Sequence, residues 1–141
     1  MGNISFLYHA IINTILEKLD KERNLKIISF LRVYKLLDEQ ERRLIKSFLK
    51  LNPKEFGFKG KFLGMGPIPK NLIFVDGQFL SRVVFSAFWE MHENLYMDTG
   101  KRLKIFSGYR SPAYQAIVFL RCLKENNFDF LRTVKGVTFP G

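Results

Sequence analysis

The sequence predicts a mainly helical fold with a short strand placed just ahead of its last helix. Two observations predict it. Apolar residues recur every three or four positions through several stretches, which is the spacing of one helix face. The stretches are also punctuated by residues that start or stop helices: Asp38 three positions before Glu41, Asn52-Pro53, Gly100, and Ser111-Pro112.

Taken in order, Ile4, Leu7, Ile11, Ile15 and Leu19, with Ile12 and Leu16, put one apolar face on a first helix ending near Glu22. A second apolar segment runs from Leu25 to Leu37 and stops at Asp38. The Asp38 carboxylate caps the next helix and Glu41 reaches back to complete a capping box, so a helix is expected over Glu39 to Leu51. Pro53 cannot continue its hydrogen-bond ladder. From Phe56 to Pro69 the chain is rich in Gly and Pro and reads as a loop. A fourth helix is expected over Leu80 to Met97, with Leu80, Val84, Phe88, Met91 and Leu95 on one face, and Gly100 supplies a left-handed stop. Leu103 to Phe106 is the strand candidate. Ser111 as N-cap and Pro112 at the first helical position then open a helix over Ala113 to Glu125. This gives a helical region over 1–55, a linker over 56–70 and a second region over 71–141.

With 141 residues and 47% apolar content the chain is long enough to bury a core. Fifteen Phe, five Tyr and one Trp suggest that aromatic packing dominates it. Cys122 is the single cysteine, which excludes an intrachain disulfide and any multi-cysteine zinc site, and its apolar neighbours suggest burial. Met1 to Leu19 has no basic residue ahead of its apolar positions and is interrupted by Tyr8, His9, Asn13 and Thr14, unlike a secretory signal or a membrane span. A cytoplasmic location is the default expectation. Phe6 replaces the Ser or Thr that myristoylation of Gly2 requires.

The formal charge is +10, and its densest stretch runs from Arg42 to Lys61, where seven basic residues face only Glu55. A solvated helix face is the ordinary reading of such a run, and an anionic polymer is the partner it would attract.

The segment Ser107-Gly108-Tyr109-Arg110-Ser111-Pro112-Ala113-Tyr114-Gln115 lies where a strand is expected to turn into a helix. Backbone N–H groups and the positive end of a helix dipole gather at such a start and favour an anion. Arg110 brings a planar two-pronged donor for a carboxylate or an oxyanion, Gln115 an amide, and Gly108 a position where a side chain is excluded. An ordinary strand–turn–helix connection is the alternative.

Ser-Gly-Tyr-Arg-Ser, with Gln five residues after the Arg, resembles the signature of the zinc D-alanyl-D-alanine carboxypeptidases, including the vancomycin-resistance type. The likeness covers roughly the second half of the chain. The closing Thr138-Phe139-Pro140-Gly141 is similar to the Pro-Gly that in this family precedes a Ser-x-His-x-x-Gly-x-x-x-Asp segment carrying two zinc ligands. This chain contains no such segment and reads as the front portion of such an enzyme, a fragment or a degenerate copy.

The resemblance implies an α+β fold, here mainly helical with a few short strands of a truncated antiparallel sheet. It implies a peptidoglycan peptide as partner, and an envelope substrate. Arg110 would stabilise the scissile carbonyl oxygen or the tetrahedral intermediate, Gln115 would bind substrate, and Ser111 would shape its pocket. Zinc is the cofactor of the intact family; the zinc ligands and the catalytic Glu are absent, so no metal is expected on this chain and no hydrolysis by it alone. Strands missing from a fragment would leave the faces around Phe88 and Phe119 partly exposed. His92-Glu93 is similar to the start of a His-Glu-x-x-His zinc helix, but Tyr96 holds the second ligand position, and His9 reads as a boundary histidine. The competing reading, of another class, is a basic non-catalytic binding module for anionic polymer or nucleic acid.

Overall fold

The computed structural model describes residues 6–59, 68–105 and 108–137. Six helices and one two-stranded antiparallel sheet make the chain α+β and mainly helical among these residues. The helices are α1 (Phe6–Leu19), α2 (Phe30–Leu36), α3 (Glu39–Leu49), α4 (Arg82–Thr99), α5 (Pro112–Glu125) and α6 (Phe130–Gly136); the strands are β1 (Ile73–Val75) and β2 (Gln78–Leu80). The chain divides into two compact units, one of Met1–Gly66 with Ser111–Gly141, the other of Pro67–Arg110. The first boundary lies at residues 66–67, outside the described residues. The second was not expected: residues from Ser111 onward return to the front helices, so 71–141 does not form one body. The physical reason is the apolar face of α5, where Ala113, Ala116, Ile117, Leu120 and Leu123 are buried with the front helices in one core.

In the first unit that core joins Ile12, Ile15 and Leu19 of α1, Val33 of α2, Ile45 of α3, Ile117, Phe119, Leu120 and Leu123 of α5, and Phe130 and Val134 of α6. It is chiefly aliphatic, because Ile and Leu at three-and-four spacing fill the seams between α1, α3 and α5. Phe48, Phe119 and Phe130 form a cluster with ring centroids 5.8–6.0 Å apart, and Phe56 packs edge-on to Phe130 at 5.0 Å. Phe119 is fully buried rather than exposed as a fragment would suggest. The segment Leu25 to Leu37 resolves into a 3-10 turn (Leu25–Ile27) and α2, whose N-cap Ser29 accepts from the Arg32 N–H at 3.1 Å.

Glu41 fixes α3. Its N–H donates to Asp38 Oδ1 at 2.8 Å, its Oε1 accepts the Asp38 N–H at 2.8 Å, and the same oxygen receives Lys18 Nζ of α1 at 2.6 Å. The α-helix ends at Leu49, two residues before the expected Leu51, and a 3-10 turn (Pro53–Phe56) follows. α6 is an unforeseen helix, capped by Asp129, which accepts from the Arg132 N–H at 3.2 Å.

The second unit begins with a hairpin in which Ile73 faces Leu80 and Val75 faces Gln78. Its turn is Asp76-Gly77, both in the left-handed region at φ 52° and 77°, the pairing that a two-residue hairpin favours. The described residues 103–105 of the expected strand join no ladder, and Phe106 lies outside the described residues. α4 starts at the Ser81 N-cap and ends at Gly100, φ 70°, whose N–H reaches Tyr96 O at 2.8 Å. No residue of α4 is buried, and Val84 and Met91 of its expected inner face are more than half exposed. No helix among the described residues is long and apolar enough to cross a membrane.

Replacing Glu41 by Ala removes the capping box and is expected to cost about 1–2 kcal/mol in urea unfolding. Its hydrogen bond raises the Lys18 ammonium above the ordinary 10.5, and burial raises the Tyr34 phenol above 10.0. Both groups hold their protons more tightly when folded. Their contribution is therefore complete below the unfolded values and lost as pH rises through the folded ones. The urea midpoint should fall between about pH 9 and about pH 12, and Lys18→Met should flatten that fall. Phe119→Ala should cost about 3–5 kcal/mol, read by far-ultraviolet circular dichroism during unfolding.

Candidate functional site

Each described residue of the Ser-Gly-Tyr-Arg-Ser-Pro segment has a definable position; Ser107 lies outside the described residues. Gly108 passes so close to β2 that a Cβ there would run into the Phe79 carbonyl oxygen and stand 3.0 Å from Gln78 Cβ. Its N–H donates to Gln78 Oε1 at 3.2 Å, and the next N–H, of Tyr109, donates to Phe79 O at 2.6 Å. The chain thus passes against β2 at a distance that only a glycine permits. Burial raises the Tyr109 phenol above its ordinary range.

Ser111 is the N-cap of α5 and is fully buried. Its Oγ accepts from the Tyr114 N–H at 3.1 Å, its carbonyl accepts from the Gln115 N–H at 2.9 Å, and its own N–H donates to Lys26 O at 2.9 Å. The hydroxyl therefore serves the backbone of α5 and is closed to solvent. The helix start offers an anion less than the sequence suggests. Pro112 has no N–H, that of Tyr114 is taken by Ser111, and Ala113 is buried.

Arg110 is exposed, and no carboxylate among the described residues pairs with it. Gln115 is half-buried in the first turn of α5, with its side-chain amide uncommitted among the described residues. Ser111 and Gln115 belong to the first unit, whereas Arg110 closes the second.

The described residues do not fit a zinc ion: no three His, Cys, Asp or Glu side chains among them converge. His92 stacks on Trp89 with centroids 5.5 Å apart, and its Nδ1 stands 3.8 Å from Glu93 Oε1. His9 stacks on Phe128 at 3.9 Å. Cys122 is half-buried rather than buried.

In the basic stretch, Arg42 Nε donates to Tyr34 O at 2.7 Å, Arg43 pairs with Glu39 at 2.7 Å, and Lys46 lies 5.3 Å from the Tyr34 ring centre. Those three cations are engaged within their own unit, while Lys50, Lys54 and Lys59 are exposed; Lys61 lies outside the described residues.

Sequence reasoning missed an aromatic stripe. Phe85, Phe88, Trp89, His92 and Tyr96 recur at three-and-four spacing along α4 and line a groove with residues 75–76 and 102–104. Of these, only Phe88 belongs to the inner face expected from the sequence.

Compared with models of protein families, with curated proteins and with solved structures, the chain matches none.

Replacing Gly108 by Ala should force the chain away from β2. The expected result is faster hydrogen exchange at the Tyr109 amide and a loss of more than about 1 kcal/mol.

Proposed function

We propose that this chain carries substrate-recognition elements of a D-alanyl-D-alanine carboxypeptidase-like metallopeptidase that acts on peptidoglycan peptides. One observation supports the reading. Within the motif, the backbone of Gly108 and Tyr109 and the hydroxyl of Ser111 are spent on close packing, pairing and capping, while the Arg110 guanidinium is exposed with no carboxylate partner among the described residues. A guanidinium with no carboxylate partner among the described residues suits a terminal carboxylate or a developing oxyanion, both of which accept two parallel N–H bonds. In this proposal Arg110 holds the peptide end or its carbonyl oxygen. No metal-activated nucleophile is assigned to the described residues, so the proposal is one of recognition and includes no hydrolytic step by this chain alone.

The test is calorimetric titration of the full chain with a wall peptide ending in D-Ala-D-Ala, with the L-Ala-L-Ala peptide as control. Arg110→Ala should weaken binding by about 10- to 100-fold, the value of a charge-assisted hydrogen bond, with Arg110→Lys between the two. Equal affinity for both peptides, or an Arg110→Ala variant that binds as the parent does, would sink the reading.

A further inference from the structure

The second unit contains a groove of about 660 Å3 lined by the α4 rings together with Val75, Asp76, Arg102, Leu103 and Lys104. Its size falls in the range of small-molecule sites, roughly 300–1,000 Å3. The groove is walled by rings. Trp89 and His92 are stacked with planes 12° apart, and Phe85 and Trp89 with planes 23° apart. Trp89 is 52% exposed and Tyr96 45%. Arg102 already lies over the Tyr96 ring, 5.8 Å from its centre.

We propose that this groove binds single-stranded nucleic acid, with bases stacking on Trp89 and Tyr96 and backbone phosphates meeting Arg102 and Lys104. A nucleotide joins the two chemistries that the groove joins, a flat π face and a negative charge a few ångströms away. Lys101 adds a third exposed cation to the same run, and the chain as a whole carries +10. An apolar peptide would use the rings but leave the cations unanswered. Asp76 and Glu93 also line the groove, so phosphates are confined to the Arg102–Lys104 side and few of them are neutralised. The proposal is independent of the peptidase reading, since it uses no residue of the Gly108–Gln115 segment.

The chain's single tryptophan is in the groove, which makes it the reporter. Full chain is titrated with a short oligothymidylate while Trp89 emission is followed, and binding to the variants is read by anisotropy of a labelled oligomer. Expected are quenching on binding and a loss of about 5- to 150-fold for Trp89→Ala or Tyr96→Ala. With two or three phosphates neutralised, affinity should drop about tenfold when salt rises from about 50 to about 200 mM, and Arg102→Gln should flatten that slope. Since α4 contributes no buried residue, these variants leave the described core intact, which circular dichroism checks. Three results overturn the proposal. They are absence of binding, binding that both ring variants retain in full, and quenching by an apolar amphipathic peptide, independent of salt, where the oligomer gives none.

Discussion

Burial of α5 against the front helices is the constraint on which the rest of the structure depends. Its face of Ala, Ile, Phe and Leu closes the aliphatic core of α1, α2 and α3, and at about 1.5–3 kcal/mol for each large side chain it outweighs any local preference nearby. Because α5 must lie there, the chain has to leave the first unit before residue 67 and return at Ser111. Residues 67–110 thereby become a unit of their own, with a hairpin and one long helix. The 2.9 Å bond from the Ser111 N–H to Lys26 O anchors the point of return.

That anchoring explains how the motif divides its labour. A segment that must both graze β2 and open a helix needs a residue without a side chain, a paired backbone amide and a cap, and Gly108, Tyr109 and Ser111 supply these. The remaining polar groups of the segment are unconstrained by such duties. Chemistry in the motif is thus read by subtraction: what the fold has already used is removed from the list of groups that a ligand can meet.

The same subtraction separates the two charged regions. Along α3 the cations face the protein's own acceptors, a backbone carbonyl, a carboxylate and a ring, so much of the sequence's densest basic run is already answered. After α4, Arg102 lies over the Tyr96 ring yet stays exposed, and Lys104 is exposed with no carboxylate partner among the described residues. Formal charge along a sequence therefore locates cations but does not say which of them remain open to a partner, since that depends on neighbours distant in the chain.

The sequence by itself determined the starts of α3 and α5 and the stop of α4 at Gly100, because their caps act between residues three or four apart: Asp38 with Glu41, Ser111 with Tyr114, Gly100 with Tyr96. It also held the Asp76-Gly77 hairpin turn and the Asp129 cap of α6, local signals of the same kind. Gly108 was legible as a place of close approach. Only the tertiary structure decided which faces are covered. Val84 and Met91 share an apolar stripe with Phe88 yet face solvent, whereas Phe119 is sealed among Phe48 and Phe130. It alone gave Glu41 a partner in Lys18, assigned Arg110 and Ser111 to different units, and used up the start of α5. Those outcomes rest on contacts between residues far apart in sequence, and periodicity carries no information about which distant surface a helix face will meet.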